Sequence, residues 1–159
     1  MDDPHAHIEL PTRAGARPAT LPRAPHSQLD QNPPLVMYEA VADFMFSRPG
    51  VSDCPSIISV PGARAMCVDP ACCVGPREAF MVGTEFAHLH PPDDGSLHVC
   101  LPRVTAVMAI NAGWAEPHVL APLMGIDTLV MLYGPRDKDE FEVIMGLIEA
   151  SLAFATTGP

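Results

Sequence analysis

The chain is poor in basic residues and has no long apolar run. Nine Lys and Arg stand against 19 Asp and Glu, so the formal net charge is −10. Such an acidic surface repels phosphate backbones and anionic lipid headgroups, so we expect neither nucleic acid nor a membrane as a partner. No apolar run approaches the roughly 20 residues of a spanning helix. The N-terminus also shows no apolar signal segment, so we expect a cytoplasmic protein.

The motifs of several enzyme classes are also missing. The sequence contains no Walker loop, no GxGxxG and no GxSxG, which argues against P-loop, dinucleotide-binding and serine-hydrolase chemistry. The five cysteines are odd in number, Cys72 and Cys73 are adjacent, and no paired CxxC occurs. This usage predicts reduced thiols rather than a disulfide framework or a cysteine zinc site.

What remains is the composition of one globular domain, preceded by a proline-rich segment. With 159 residues and 48% hydrophobic residues, the chain can bury a core. Residues 1–33 carry many prolines and no apolar periodicity, so we predict a flexible or surface-wrapping arm there. His5 and His7 fall in this arm, where we expect a solvated tail. Residues 34–156 are predicted to form a single domain.

The order of predicted elements indicates the fold class. A helix follows Pro33-Pro34, strands lie in the middle, and a second helix covers about 103–112. A strand is predicted at 127–133 and a final helix at about 138–154, with Asp137 as its N-cap. Residues 51–56 read as a connector and 113–125 as a loop. We therefore predict an α+β two-layer sandwich, with an antiparallel sheet whose one face is covered by helices.

The stretch Phe80–Leu101 is predicted to be a hairpin that carries three histidines. Its turn, PPDDG, leaves a five-residue loop if His90 pairs with Ser96, and His88 then lies opposite His98. Side chains alternate along a strand, so one face should be apolar and belong against the helices. The other face is predicted to carry the residues Phe86, His88, His90, His98 and Cys100.

Grouped imidazoles suggest two chemistries. They can bind a divalent transition metal, or one can act as a general acid or base near neutral pH. The alternative is that the histidines merely fill a half-exposed sheet.

The GWAEPH stretch adds a second set of candidates. Trp114 could wall a pocket for an apolar ligand, and Glu116 could tune a histidine. Alternatively, Trp114 caps the core and Glu116 lies on the surface. Arg136 precedes a helix, so it could bind an anion or pair with a nearby acidic residue.

The motifs EFAHLHP, DGSLH, GWAEPH and YGPRD together resemble the luciferase-like domain family of unknown function, which occurs in actinobacteria and fungi. The resemblance covers about residues 35–156. It implies that the hairpin and the GWAEPH stretch belong to one site. The motif blocks contain Glu85, His88, His90, His98, Trp114, Glu116, His118 and Arg136.

Taken together, the sequence predicts a small-molecule enzyme, for example of secondary metabolism, that performs acid-base chemistry such as isomerisation or cyclisation in a histidine-lined pocket. The sequence specifies no cofactor. The alternatives are a divalent transition metal on His88, His90 and His98, a non-catalytic binding module that could form a homodimer, and a pH-sensing cluster. The predicted catalytic residues are His88, His98, Glu116 and His118, and the predicted substrate-binding residues are Phe86, His90, Cys100, Trp114 and Arg136.

Overall fold

The computed structural model describes residues 9–158 of the chain. His5 and His7 lie outside the described residues. None of the described helices is long and apolar enough to cross a membrane. The helices are α1 (Leu35–Phe46), α2 (Arg103–Asn111), α3 (Ala121–Met124) and α4 (Lys138–Thr156), and the strands are β1 (Val51–Pro55), β2 (Arg64–Val68), β3 (Glu85–Leu89), β4 (Leu97–Cys100), β5 (Ala115–Pro117) and β6 (Leu129–Leu132).

The six strands form one antiparallel sheet in the order β1-β2-β3-β4-β6-β5. The main core lies between one face of this sheet and the helices α1, α2 and α4. Alternate residues of the central strands supply it, among them Leu97, Val99, Val130 and Leu132. The predicted α+β sandwich is therefore confirmed.

Helix α4 packs across the middle of the sheet, and its sequence carries both an N-cap and a buried apolar stripe. The Asp137 side chain accepts a hydrogen bond from the Glu140 backbone N–H at 2.9 Å, so it caps the first turn as predicted. Ile144, Leu147 and Ile148 recur at helical spacing and are fully buried. This helix fixes which face of β3 and β4 is the core, and hence which face is left for the histidines.

Two predicted irregular stretches contain regular structure. Residues 51–56 include β1, which was not predicted because this edge strand is largely polar and exposed and lacks apolar alternation. Residues 113–125 include β5 and α3, which have only three and four residues. Elements this short leave no periodic signal in the sequence. Strand β5 forms because it pairs with β6.

The described part of the predicted arm, residues 9–33, packs on the domain and is called the N-terminal segment below. The Trp114 indole N–H donates to the Pro11 carbonyl at 2.6 Å, and the Gln28 backbone N–H donates to Asp94 Oδ1 at 3.2 Å. Arg13, His26 and Gln28 are buried. The segment therefore covers part of the sheet face opposite the helices.

Candidate functional site

The predicted register of the hairpin is confirmed. His88 pairs with His98, Ala87 with Val99 and Leu89 with Leu97. The row continues across the sheet, since His98 is opposite Met131 and Met131 is opposite Glu116. These residues share the sheet face that points away from α4, which we call the histidine face. Strand pairing through β6 thus brings the GWAEPH stretch to the histidines.

A β-bulge changes the predicted parity at the start of β3. Against β2, Met66 pairs with Ala87 but Cys67 pairs with Glu85, so Phe86 has no partner of its own. Phe86 consequently lies in the main core beside Ala87, contrary to the prediction that it shares the histidine face. Glu85, which strict alternation from His88 would place on the helix side, instead returns to the histidine face.

All five histidines of the described residues form one cluster, with His98 at its centre. The centroid of the His98 ring lies 4.8 Å from that of His88, 4.4 Å from His90, 4.3 Å from His118 and 5.6 Å from His26. All five rings are buried. Burial and the neighbouring imidazoles hold the pKa of His98 well below its ordinary value of 6.5.

His88 lies between a carboxylate and His98. Its Nδ1 is 2.9 Å from Glu85 Oε1, which also accepts a hydrogen bond from the Ser56 hydroxyl at 2.7 Å. Its Nε2 is 2.9 Å from His98 Nδ1. Burial lowers the pKa of His88 despite the opposing effect of the Glu85 hydrogen bond.

His90 has a carboxylate partner of its own. Its Nδ1 is 2.6 Å from Asp94 Oδ2, and its Nε2 is 3.1 Å from the Ser59 hydroxyl. Burial acts to raise the pKa of Asp94, but hydrogen bonds from His90 and Ser96 outweigh burial and lower it. Asp94 is therefore an anion at neutral pH and accepts a hydrogen bond from His90 Nδ1–H. The His90 Nε2 lone pair then accepts from Ser59.

The third carboxylate pair joins the N-terminal segment to β5. His26 Nε2 lies 2.6 Å from Glu116 Oε1, which also accepts from the Thr20 hydroxyl, and the Tyr133 hydroxyl donates to Oε2 at 2.9 Å. These hydrogen bonds outweigh burial and lower the pKa of Glu116. His26 Nε2 is thus the protonated nitrogen, and the buried Nδ1 keeps a lone pair for which the described residues offer no partner.

His118 stands just before α3 and completes the cluster. Its Nδ1 accepts a hydrogen bond from the Leu120 backbone N–H at 3.0 Å, so the neutral ring carries its proton on Nε2. Burial and the nearby imidazoles lower the pKa of His118 to about 4. The ring is therefore neutral at pH 7 and presents an N–H donor.

Beside the cluster lies a cavity of about 370 Å³, which we call the histidine cavity. This volume is at the small end of the range for ligand sites, and mixed apolar and polar walls are typical of them. Four imidazoles contribute to the walls, and a short apolar loop after β1 faces them. The lining residues are Ala24, Pro25, His26, Ile58, Ser59, Val60, His90, His98, His118 and Leu120.

Several predicted site residues lie elsewhere. Cys100 is fully buried in a small apolar cluster with Ile126 and Leu129, where burial raises the pKa of its thiol to about 12. Trp114 lies in the main core, in agreement with the alternative that it caps the core. Arg136 pairs with Glu140, Nε to Oε1 at 2.9 Å, and is not part of the cavity wall.

Three members of the histidine–carboxylate pairs were not among the predicted catalytic or substrate-binding residues: His26, Glu85 and Asp94. His26 sits in a proline-rich stretch with no regular structure, so its docking is set only by tertiary contacts. Glu85 reaches the site because of the bulge. Of the three, only Asp94 could have been recognised from the sequence. It lies four residues after His90 in a turn, where a side chain can fold back onto the end of the strand.

Residues 83–151 match the Luciferase domain. The predicted resemblance to the luciferase-like domain is thus confirmed over this part of the chain. The matched range contains β3, β4, β5 and β6 with their histidines and Glu116, whereas His26 lies outside it.

Curated fungal proteins are similar over a comparable stretch. Luciferases of Armillaria gallica, Armillaria mellea and Neonothopanus nambi are each 33% identical over 78 residues, which is 47% of this chain. The alignment spans only 29% of the length of each of these relatives. No solved structure matches the chain.

Proposed function

We propose that the chain is an enzyme that acts on a small apolar carbonyl compound in the histidine cavity by acid-base chemistry. The observation that carries this proposal is the His26–Glu116 pair. An ionised carboxylate fixes one nitrogen of a buried imidazole at 2.6 Å, the other nitrogen is buried without a partner among the described residues, and the ring is one of those that line the cavity. This is the arrangement of an oriented general base, which the carboxylate stabilises once the ring takes up a proton.

His118 is placed to stabilise the negative charge that develops on the oxygen of the substrate during this reaction. Because His118 Nδ1 accepts a hydrogen bond from the Leu120 backbone N–H, the Nε2–H of the ring is the group available to a ligand. A neutral imidazole donor can hydrogen-bond an enolate oxygen without giving up its proton. The low pKa of His118, about 4, keeps it in that neutral form.

The proposed step is proton transfer from a carbon next to a carbonyl. The C–H bond breaks, its proton moves to His26 Nδ1, and its electron pair forms the enolate, whose oxygen accepts from His118 Nε2–H. In a β,γ-unsaturated ketone, return of the proton to the γ-carbon of the dienolate gives isomerisation. Attack of the enolate carbon on a second carbonyl of the same molecule, whose oxygen takes the proton back from His26, gives cyclisation. Apolar wall residues such as Ile58, Val60 and Leu120 favour an uncharged substrate.

The match to the Luciferase domain supports an enzyme, since the fungal relatives are named luciferases. Their reaction as such is not carried over, because the alignment covers 29% of their length. The matched segment of this chain, residues 83–151, carries four of the five clustered histidines.

The test uses flat apolar ketones with exchangeable hydrogens, for example 1-indanone and acetophenone. Binding is measured by saturation-transfer NMR in the presence of a metal chelator. Leu120→Trp fills the cavity from its wall and should abolish binding. Leu123→Trp is the matched control, because Leu123 lies in α3, the short helix that Leu120 directly precedes, is 84% exposed and does not line the cavity.

Catalysis is then measured as exchange of the α-hydrogens with D2O. The wild type and Leu123→Trp should accelerate exchange, and His26→Gln should not. The glutamine amide can still donate to Glu116, so the variant removes the base while keeping its anchor. No binding across a panel of such ketones, or exchange that survives His26→Gln, would overturn the proposal.

A further inference from the structure

The strongest unexplained feature of the cluster is the count of protons between Glu85, His88, His98 and the His26 carbonyl. Glu85 accepts at His88 Nδ1, so this nitrogen must carry a proton. The carbonyl oxygen of His26 lies 3.0 Å from His98 Nε2 and can only accept, so that nitrogen must carry one too. In neutral rings, the two remaining nitrogens are then both lone pairs, yet they lie 2.9 Å apart.

Two lone pairs at hydrogen-bonding distance require a cation between them. His90 adds a third lone pair at Nε2, because its Nδ1 proton is held by Asp94 at 2.6 Å. This lone pair accepts from the Ser59 hydroxyl at 3.1 Å, a rotatable donor that a metal ion would displace. One nitrogen of each ring, His88, His90 and His98, lies within 4.8 Å of the other two. Three imidazole lone pairs that converge on one point form a metal-binding set.

We infer that His88, His90 and His98 hold one divalent first-row transition metal ion, bound through His88 Nε2, His90 Nε2 and His98 Nδ1. The site rests on the cluster alone, so it stands independently of the proposed acid-base function. Each ligand ring has its other nitrogen fixed by a hydrogen-bond acceptor, two carboxylates and one backbone carbonyl. Acceptors of this kind orient metal-binding histidines and make them better donors.

Charge and geometry both suit a divalent ion. Glu85 and Asp94 supply two negative charges next to three neutral rings, so an ion of charge +2 makes the buried set neutral. Metal–nitrogen bonds of 2.0–2.1 Å in a tetrahedron place the nitrogens about 3.3 Å apart. The His88–His98 contact of 2.9 Å would therefore open by roughly 0.4 Å.

The fourth position of such an ion would face the histidine cavity, because His90 and His98 are part of its wall. A metal there would polarise a ligand oxygen as a Lewis acid. The second possible trio, His26, His98 and His118, is a poorer set. His118 Nδ1 is already an acceptor for Leu120 N–H, which places the ring proton on Nε2.

The test is titration of chelator-treated, tag-free protein with Co²⁺, followed by the visible bands of four-coordinate cobalt, and with Zn²⁺ in competition. We expect one equivalent to bind. His90→Ala should weaken binding at least 100-fold, and Asp94→Asn, which keeps the ring but removes its anionic partner, should weaken it about 10–100-fold. His118→Ala should change the affinity less than about threefold, because this ring belongs only to the other trio.

The outcomes separate the alternatives. Folding of each variant is checked by circular dichroism, and Asp94→Asn tests the site even if His90→Ala does not fold. If the wild-type protein shows no cobalt bands, the inference is overturned. The cation between His88 Nε2 and His98 Nδ1 is then a proton, added to those on His88 Nδ1 and His98 Nε2. Loss of binding in His118→Ala with retention in His90→Ala also overturns the inference, in favour of the second trio. Ketone binding is measured with chelator present, so failure there would not be confused with failure here.

Discussion

Acid should destabilise this protein through its buried histidines, and His118 allows the size of the effect to be worked out. The folded state holds the pKa of His118 at about 4, against 6.5 as its ordinary value. Between these values the unfolded chain binds the proton and the folded chain does not. The contribution of His118 to stability is therefore complete above pH 6.5 and is lost as the pH falls toward 4.

The magnitude follows from linkage. Between pH 7 and pH 5, a pKa difference of this size removes about 2 kcal/mol from the free energy of unfolding. The perturbation is His118→Asn, since the asparagine Oδ1 can take the place of Nδ1 as acceptor for the Leu120 N–H. The variant thus loses the titrating group while keeping its local hydrogen bond.

The assay is urea unfolding of both proteins at the two pH values, with chelator present to exclude metal binding. The fall in unfolding free energy from pH 7 to pH 5 should be about 2 kcal/mol smaller in His118→Asn than in the wild type. Leu123→Asn serves as the control, since its exposed side chain should leave the pH dependence unchanged. A difference below about 0.5 kcal/mol between His118→Asn and the wild type would refute the reasoning.

Three further predictions concern packing and reactivity. Gly146→Ala should raise the free energy of urea unfolding by roughly 0.5–1 kcal/mol, because its Cβ would meet no atom within 4 Å. Gly134→Ala should lower the free energy of unfolding, because its Cβ would lie 2.6 Å from a backbone oxygen. Equal effects of the two substitutions would contradict this prediction. Iodoacetamide at pH 8 should alkylate exposed Cys72 but not buried Cys100 in the folded protein, and mass spectrometry that finds labelled Cys100 would disprove its protection. Trp114→Phe removes the hydrogen bond to the N-terminal segment and should cost about 1–2 kcal/mol in unfolding free energy, while ketone binding, measured by NMR, stays intact; a loss of binding would place Trp114 in the site after all.

Local sequence was sufficient for the centre of the site. The hairpin register could be predicted because a five-residue turn and strand alternation leave one pairing that buries an apolar face. His88 and His98 face each other for that reason. Helix α4 was predictable on similar grounds, from the Asp137 cap and a repeated apolar stripe.

The parts that could not be predicted depend on contacts between distant stretches. The bulge at Phe86 arises where β3 meets β2, and nothing within β3 itself marks it. Glu116 faces the histidines because β5 pairs with β6, but β5 is too short to leave a strand pattern in the sequence. Arg136 and Trp114 have ordinary structural roles that residue type alone does not reveal.

The docking of His26 has a consequence for the timing of assembly. Its carboxylate partner, Glu116, lies 90 residues further along the chain. At a synthesis rate of roughly 5–20 residues per second, the ribosome needs about 5–18 s to produce that interval. The hairpin residues Asp94 and His98, which also contact the segment, are made earlier. The His26–Glu116 pair therefore forms only after β5 has been synthesised, later than the contact of His26 with His98.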